Sequence, residues 1–501
     1  TDQVFHRTED VMTETDQPLV PPPVIETKSR WHDPITINAI WFAISTRSNI
    51  LTPLLLPLLV QNFVGEASKG GAYGNLRLVS LMIALLFQAL AGMLSDRNTS
   101  KFGRRRPIIL IAAILDMLTY IAIGVIAATM QGQAGYAALF VMVVLSMATA
   151  NFTHGPAQGL IPDLVPAQKR GMHSGIKALL EVPLPLIFVS FVVSKMIAAG
   201  NYWSAIIALV VVCLVCVGLT MLVKETPLTQ DPGPFDWSSV FRLALMTAAF
   251  TGVILSMGAL VRWALPHLTL ELSNSKKMLI VVIGLATMLI AVAAGVLLSL
   301  RIGMGEEAKK QRSFSWWVIN RLAFLVGATS LSSFAIYFIQ ERFPEMGGNL
   351  AAKPASTLML VVGVALLVSS LPAGLLTDKF GTKPLLVASG LLAAAGTTVV
   401  VIAPTMTVIL IGGALIGLGI GIFYSANWAL GTSLVPREQA GRYLGLSNLA
   451  GAGAGAIGAY IGGVIGDNTS YTLLLTIYAL MFVFSIISLS QIKLTERELA
   501  T

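Results

Sequence analysis

Apolar residues dominate this chain in long runs that are separated by short polar segments. Fourteen runs are long enough to cross a bilayer, which takes about 20 residues of helix. Their approximate bounds are 35–60, 75–94, 107–129, 134–153, 172–198, 202–223, 239–264, 277–300, 315–340, 355–375, 384–403, 405–428, 443–465 and 471–491. The pattern predicts an all-α membrane protein with fourteen transmembrane helices.

The composition supports this prediction and excludes several other classes. Of the 501 residues, 55% are hydrophobic and 12% are charged, which is about half the charged fraction of a soluble protein. The two cysteines, Cys213 and Cys216, lie in one apolar run, and the five histidines include no His-x-x-x-His pair. The sequence therefore predicts no disulfide framework, no metal site and no cofactor. It also lacks a Gly-x-x-x-x-Gly-Lys-Ser/Thr loop, so we expect neither direct use of ATP nor an enzyme.

The net charge of +8 does not indicate nucleic-acid binding, because the basic residues do not form one face. They lie in alternate loops, at Arg97, Lys101, Arg104, Arg105, Arg106, Lys169, Arg170, Lys309, Lys310, Arg312, Lys379, Lys383, Arg437 and Arg442. Under the positive-inside rule these loops face the cytoplasm. We therefore expect a multi-pass protein of the cell membrane, with a disordered cytoplasmic tail at 1–34 and a second cytoplasmic tail at 494–501.

The loop after the second run is repeated after the tenth run. Residues 91–107 read AGMLSDRNTSKFGRRRP, and residues 373–384 read AGLLTDKFGTKP. Further on, Leu-Val-Pro at 164–166 precedes one new run and Leu-Val-Pro at 434–436 precedes another. The repeat predicts two six-helix bundles, 35–223 and 315–493. Between them, residues 224–314 form a linker that carries an inserted two-helix hairpin, and the sequence names no partner for that hairpin.

The matched glycine and aspartate in both loops suggest more than a basic, topology-setting segment. A carboxylate at the end of one helix can accept hydrogen bonds from the free amides at the start of another. We therefore predict a conformational latch between the two bundles. Its candidate residues are Gly92, Asp96, Arg97, Gly103, Arg104, Arg105 and Arg106 in the first half, and Gly374, Asp378, Lys379 and Gly381 in the second.

The doubled loop resembles the signature of the major facilitator superfamily, and the resemblance extends over residues 35–491. It implies the major facilitator fold, in which two six-helix bundles rock around a central solute site, here with an added hairpin. It also implies that each signature aspartate docks near the start of a helix in the other half. Asp96 would then lie near Gly441, and Asp378 near Gly171.

A narrower resemblance, to the sucrose/proton symporters of plants and the wider glycoside-pentoside-hexuronide cation symporter group, comes from three segments together. They are Leu51-Thr52-Pro53, the arginine-rich loop 95–107, and Asn151 with Gly155-Pro156, Leu160 and Asp163-Leu164. This resemblance implies symport of a glycoside or related polar solute. The chain departs from the group in having fourteen spans instead of twelve. It also lacks the carboxylates in spans 2 and 4 that a sodium site of this type would need, so protons are the expected coupling ion.

Charged side chains within spans are expensive, so each needs a reason. Arg47 lies about 12 residues into the first run, roughly 18 Å from its cytoplasmic end, and Glu181 lies at a similar depth in the fifth. Because the first and fifth helices are neighbours in the family fold, we expect these two side chains to pair. The pair is either a static structural contact or a proton site, in which Glu181 accepts a proton when the solute rearranges Arg47. Asp116, in the third run, is the next candidate for the proton site, although a local hydrogen bond is the favoured explanation for it.

Polar and aromatic residues within the spans suit a cavity that binds a sugar-sized solute by hydrogen bonds and ring stacking. The candidates for substrate binding are Trp41, Asn49, Gln88, Asn151, Tyr337, Tyr424 and Asn427.

The sequence as a whole predicts a secondary transporter that couples a small solute to protons within membrane lipid. Two rival functions fit the same pattern. One is export of an amphiphilic solute, and the other is a non-transporting membrane factor for assembly or pigment handling, since some relatives of this fold serve pigment complexes.

Overall fold

The computed structural model describes residues 30, 32–225, 227–228, 235–269, 273–305, 311–434 and 440–493, with the backbone alone at 167 and 440–450. Fourteen long helices account for most of this part of the chain. In chain order they are α1 Asp33–Val64, α2 Glu66–Asp96, α3 Arg106–Thr129, α4 Gly132–Leu164, α5 Arg170–Ala198, α6 Tyr202–Met221, α7 Trp237–Leu268, α8 Asn274–Met304, α9 Arg312–Arg342, α10 Gly348–Phe380, α11 Thr382–Ile402, α12 Met406–Leu434, α13 Ala440–Asn468 and α14 Tyr471–Gln491.

The helices confirm an all-α, multi-pass membrane protein. Thirteen of them are long and apolar enough to cross a membrane, and the remaining one, α13, is a helix of 29 residues. Each predicted apolar run overlaps one helix, with ends that differ by a few residues. The predicted tails at 1–34 and 494–501 lie almost entirely outside the described residues, as do Lys309, Lys310 and Arg437.

The fourteen helices alternate in direction, so the molecule has two ends. We call the end with the loops at 97–105, 165–169 and 381 the basic end. The other end, with loops at 130–131, 199–201 and 469–470, is the opposite end. Both repeated loops at the basic end turn on a glycine in the left-handed region, with φ of 109° at Gly103 and 83° at Gly381. A side chain is strained in that region, so these two glycines are needed for the turns.

Helix packing repeats from one half of the chain to the other. In the first half α2 packs on α4, α3 on α4, α1 on α6 and α3 on α6. The equivalent pairs in the second half are α10 with α12, α11 with α12, α9 with α14 and α11 with α14. The halves meet through α2 with α13 and through α5 with α10, two contacts that exchange under the same relation. The chain is therefore folded as two six-helix bundles related by a pseudo-two-fold axis.

The inserted hairpin, α7 and α8, lies outside this arrangement. Both of its helices pack on α13 of the second bundle, and α7 also contacts α2 of the first. Phe250 of α7 is buried against Gly295 of α8 and Gly453 of α13, where no β-carbon occupies the space. The Arg262 guanidinium donates a hydrogen bond to Asn75 Oδ1 of α2 at 3.0 Å. The hairpin thus covers the seam between α2 and α13 and contacts both bundles.

Candidate functional site

A cavity of about 550 Å³ lies between the two bundles. Its polar wall groups come from α1, α2, α9 and α12. They are Arg47, Ser48, Asn49, Thr52, Arg77, Thr329, Ser332, Ser333 and Tyr424. Most of the remaining wall is apolar, with leucine, valine, isoleucine and methionine side chains from α5, α10 and α12. No acidic side chain of the described residues is part of the wall.

Helix α1 opens into a wide π-helical turn at Leu51–Leu55, where it borders this cavity. Proline at position 53 has no amide hydrogen to donate, which favours such an irregularity. The turn leaves the Thr52 carbonyl oxygen free to accept a hydrogen bond from the Tyr73 hydroxyl at 2.7 Å. Thr52 Oγ1 accepts a second hydrogen bond from Arg77 Nη1 at 3.3 Å. The turn therefore ties α1 to α2 at the cavity wall.

Arg47 forms a buried ion pair with Asp116. Its Nε lies 3.2 Å from Asp116 Oδ2, and both side chains are less than a tenth exposed. The Ser146 hydroxyl joins the two groups, since it accepts from Arg47 Nη2 at 2.8 Å and donates to Asp116 Oδ1 at 2.7 Å. Thr149 and Tyr120 also donate to the Asp116 carboxylate. Arg47 lines the cavity while Asp116 lies behind it, so the cavity reaches the carboxylate only through the arginine.

The predicted pairing of Arg47 with Glu181 is wrong. Glu181 Oε2 lies 3.1 Å from Lys177 Nζ, one turn earlier on α5, and the glutamate is about a third exposed. The Lys177 ammonium also lies over the Trp41 ring, 3.8 Å from its centroid. Although α1 and α5 are neighbours, as expected, the Arg47 side chain points toward α3 and α4, where it meets Asp116 of α3 and Ser146 of α4. The sequence gives the depth of a residue along a helix but not the direction in which its side chain points.

Of the seven residues predicted to bind substrate, Asn49 and Tyr424 line the cavity. The other five lie elsewhere, for reasons that their contacts show. Trp41 is buried at the basic end of the first bundle, edge-on to His154. Gln88 lies on α2 outside the wall, and the Asn151 side chain donates to its own helix at Met147 O, 2.7 Å away.

The remaining two of the seven serve helix packing. The Tyr337 hydroxyl donates to the Pro57 carbonyl oxygen at 2.7 Å, between the two bundles. Asn427 is fully buried, accepts from Arg321 Nη1 at 2.9 Å and donates to Asn320 Oδ1 at 3.1 Å.

The arginine-rich loop folds against its own bundle. Arg105 Nη2 lies 3.0 Å from Asp96 Oδ1, and Arg104 and Arg105 both donate to the Asp163 carboxylate. Glu225, which follows α6, accepts from the backbone amides of Arg105 at 2.8 Å and Arg106 at 3.1 Å. A carboxylate is stabilised at such a helix start. Asp96 was expected to accept hydrogen bonds from the free amides at a helix start. At the start of α3, Glu225 accepts such hydrogen bonds instead.

Other predicted latch residues lie around this loop. Arg97 stacks over the Phe235 ring at 5.3 Å, and the Arg106 side chain donates to Met221 O. A side chain at Gly103 would collide with Glu225, whereas the space at Gly92 is open. The described contacts of Asp96 stay within its own bundle, and the predicted docking of Asp96 beside Gly441 falls on residues 440–450. The side chains at 440–450 lie outside the described part of the chain.

The matching loop of the second half is open to its surroundings. Asp378 and Lys379 are exposed, and Asp378 makes no ion pair or side-chain hydrogen bond with the described residues. Space at Gly374 is open, and Gly381 donates its amide to Thr377 O at 2.9 Å to end α10. The predicted contact of Asp378 with the start of α5 near Gly171 is absent. Within the described residues, no hydrogen bond or ion pair joins the two bundles at the basic end.

At the opposite end the two bundles are joined by polar contacts. The Asp467 carboxylate of α13 accepts from the backbone amides of Gly70 at 2.7 Å and Gly71 at 2.6 Å, near the start of α2. Lys69 Nζ donates to Gln340 Oε1 of α9 at 2.9 Å and pairs with Glu66 at 2.6 Å. This is the arrangement that we predicted for the signature aspartates, found at the other end of the molecule. We call these contacts the Asp467 closure.

Two further hydrogen bonds lie between the bundles on this side of the cavity. The Tyr202 hydroxyl donates to Asn349 Oδ1 at 2.6 Å, and the Ser190 hydroxyl donates to Ser356 O at 2.7 Å. Every hydrogen bond between the two bundles in the described chain lies toward the opposite end, so the cavity is closed there and open toward the basic end.

Several known proteins resemble this chain in sequence or in fold. The sequence model of the Major Facilitator Superfamily matches residues 325–499. No curated protein sequence matches the chain. The solved structure of the nucleoside transporter NupG has a TM-score of 0.60 and 13% identity, covering 92% of this chain and 99% of that one. The chain has the major facilitator fold.

Two other solved structures share this fold with the chain. A D-xylose-proton symporter has a TM-score of 0.60 and 17% identity, covering 91% of this chain and 97% of its own. The inward open conformation of the xylose transporter XylE from E. coli has a TM-score of 0.58 and 16% identity, with 93% and 98% covered. These identities are low, so the likeness shows the fold.

Sequence reasoning missed three functional candidates in this major facilitator fold. Arg77 is a lone cation in an apolar run, the signal that drew attention to Arg47. Asp467 follows a glycine-rich run near a predicted helix end, where an exposed loop residue is the simpler interpretation. Glu225 lies in a polar linker with no distinguishing pattern, and only the fold brings it to the arginine-rich loop.

Proposed function

We propose that the protein is a secondary active transporter that works by alternating access, and that it couples solute uptake to protons. The observation that carries this proposal is a central cavity between two symmetric bundles, closed at one end only, with a buried ion pair in its wall. Transport requires a second state, with the opposite end open and the basic end closed. The pseudo-symmetry supplies equivalent contacts, α2 with α13 and α5 with α10, about which the bundles can rock.

The direction follows from the charge of the loops. If the basic loops face the cytoplasm of a cell membrane, as the positive-inside rule predicts, the present state is open to the cytoplasm. Both termini would then be cytoplasmic. The solute that we expect on the basis of the sequence resemblance is a glycoside or related polar molecule.

Asp116 takes the place of Glu181 as the proposed proton site. In the present state the Arg47 guanidinium and the Asp116 carboxylate form an ion pair, with 3.2 Å between Nε and Oδ2. We propose that a solute that draws Arg47 toward the cavity breaks this pair and leaves the carboxyl group to bind a proton. Protonation in turn frees the arginine for the solute. Solute and proton then favour each other's binding, which is the coupling that symport requires.

Gradient-driven transport by purified protein in liposomes tests this function. Labelled sucrose, D-xylose, uridine and the monocarboxylate D-glucuronate, offered with and without an inward proton gradient, should show accumulation of at least one solute only with the gradient. Asp116→Asn should abolish accumulation while sparing solute exchange, because a neutral side chain imitates the protonated state. Glu181→Gln is the matched control and should accumulate solute normally. Accumulation that survives in Asp116→Asn, or is lost in Glu181→Gln, would contradict the assignment.

Export of an amphiphilic solute is the second candidate. The observation in its favour is the largely apolar wall formed by α5, α10 and α12. An exporter should accumulate solute in inside-out vesicles in exchange for protons that leave the vesicle lumen, so the same liposome preparation with the proton gradient reversed separates the two directions.

A further inference from the structure

The cavity wall carries one positive charge that no acidic side chain of the described residues balances. Arg47 and Arg77 both line the cavity, and the described wall contains no acidic side chain. Asp116 balances Arg47 at 3.2 Å. No carboxylate of the described chain pairs with Arg77, whose Nη1 donates only to the Thr52 hydroxyl at 3.3 Å.

The other two guanidinium nitrogens of Arg77, Nε and Nη2, have no hydrogen-bond partner in the described chain. Its Nε is shielded from solvent and makes no hydrogen bond, and no contact in the described chain satisfies its Nη2. A guanidinium within a membrane-spanning helix is unfavourable without an anion or hydration, so such a group is retained there for a specific purpose. The planar group offers parallel N–H donors that match the two oxygens of a carboxylate.

We infer that the transported solute is an organic anion with a single carboxylate, which binds to Arg77 in the central cavity. The inference rests on the proposed transport function and narrows its solute to an acid. In the present state, with Asp116 paired to Arg47, a monoanion fits better than a phosphate ester, because the two arginines less one aspartate leave one unbalanced charge. The body of the acid lies against the apolar wall, which includes Leu358 and Val362 of α10 and Ile420 of α12.

Hydroxyl groups facing the cavity add hydrogen bonds for the rest of the solute. Thr329 and Ser332 donate within α9, so each hydroxyl oxygen still has the capacity to accept a hydrogen bond. Tyr424 lines the same wall, and no hydrogen bond engages its hydroxyl within the described chain. These groups suit a solute with a few polar substituents on an otherwise apolar frame.

Ligand-induced thermal stabilisation of the purified full-length protein in detergent tests this inference without requiring transport. A ligand that binds only the folded state raises the unfolding temperature. The probes are benzoate, neutral benzamide and dianionic phenylphosphonate, which share one ring, together with cyclohexanecarboxylate as a second acid. We expect both carboxylates to stabilise the wild type, benzamide to have no effect, and phenylphosphonate to act more weakly than benzoate.

The variants connect the effect to Arg77. Arg77→Gln should raise the dissociation constant for benzoate by about tenfold to a hundredfold, because a charge-assisted hydrogen bond is lost. Arg77→Lys should retain part of the affinity, which keeps the test valid if the glutamine variant does not fold. Arg262→Gln is the control. Arg262, on α7, donates a hydrogen bond to Asn75 on α2, the helix that carries Arg77, but Arg262 lies outside the cavity.

Three results would overturn the inference. They are stabilisation by benzamide equal to that by benzoate, unchanged benzoate binding in Arg77→Gln, and no stabilisation of the wild type by either acid. Because binding is measured at equilibrium, failure here leaves gradient-driven transport of a neutral solute possible. Conversely, binding of acids without any transport would contradict the proposed function alone.

Discussion

At the scale of single residues, the Arg47 and Asp116 side chains depend on each other. Asp116→Asn should lower the free energy of unfolding by about 3–5 kcal/mol, because it leaves a buried arginine without its counter-charge. Arg47→Gln with Asp116→Asn should recover part of this loss, since the neutral pair removes the unbalanced charge. Denaturant unfolding of the two single variants and the double variant gives the coupling energy.

Glu181→Gln with Lys177→Gln provides the matched comparison, because the two side chains of that pair are each about a third exposed on α5. Its coupling should stay below about 1 kcal/mol. Additive losses at Arg47 and Asp116 would show that the two side chains do not stabilise each other, and the proposed proton site would lose its physical basis.

Sequence reasoning at this scale found charged residues but not their partners. Arg47 and Asp116 were both selected because a charge within an apolar run is expensive. Their pairing depends on which faces of α1 and α3 point toward each other, and on Ser146 between the two side chains. Neither is visible from spacing along one helix. For the same reason, Asn427 was selected as a polar residue for solute, although its amide is used entirely for packing α9 against α12.

At the scale of helices, the closure of the opposite end requires small residues where α2 and α13 meet. A β-carbon at Gly74 would collide with the backbone oxygen of Ala459, and one at Gly463 would collide with the oxygen of Gly70. Gly74→Leu should therefore separate these helices and open the cavity toward the opposite end. In liposomes, a cysteine in place of Ser332 should then react with a membrane-impermeant thiol reagent added from that side.

The control for this prediction is Gly218→Leu on α6, where the space for a side chain is open. Asp467→Asn should act in the same direction as Gly74→Leu but less strongly. Its amide keeps one acceptor and loses the charge that complements the amides at the start of α2. Unchanged reactivity at position 332 in Gly74→Leu would show that α2 and α13 do not form the gate.

Sequence reasoning performed best at the scale of helices. Each apolar run overlaps one helix, because a helix that crosses the bilayer must be about 20 residues long, and apolar runs of that length are rare in other proteins. The repeated loops correctly predicted the symmetric packing of the two halves. The Asp467 closure was missed because the close approach of α2 and α13 depends on Gly74 and Gly463. In the sequence these glycines indicate only local flexibility.

At the scale of the whole molecule, the hairpin is an addition to a complete pair of bundles. Replacing residues 239–300 with a flexible link should leave a folded protein of twelve helices, because the four packing pairs of each bundle do not involve α7 or α8. The surface of α13 exposed by the deletion would face lipid, which solvates apolar side chains. Size-exclusion chromatography and helical content by circular dichroism measure the outcome.

This deletion should also change the rate of the conformational cycle. The hairpin contacts α13 of one bundle and α2 of the other, so it restrains their separation at the seam that must open. Faster solute exchange in the deleted protein is the expected result. Loss of folding would show instead that Phe250, buried between α8 and α13, is part of the core of the second bundle.

The two signature loops differ in this structure because the basic end is open. Asp96 is held by Arg105, whereas Asp378 has no partner in the described chain. We predict that closing the basic end brings Asp378 to the start of α5, in the same relation that Asp467 has to the start of α2. Asp378→Asn should therefore favour the present open state and slow transport, while solute binding in the open cavity stays intact.

Reactivity of a cysteine at position 332 from the basic side measures this shift and should rise in Asp378→Asn. Asp96→Asn should leave the fold of its loop largely intact, because Asp163 still accepts hydrogen bonds from Arg104 and Arg105. If Asp378→Asn abolishes solute binding while the reactivity at position 332 is unchanged, Asp378 is not a latch. The closed state would then have to be held by contacts along α5 and α10 alone.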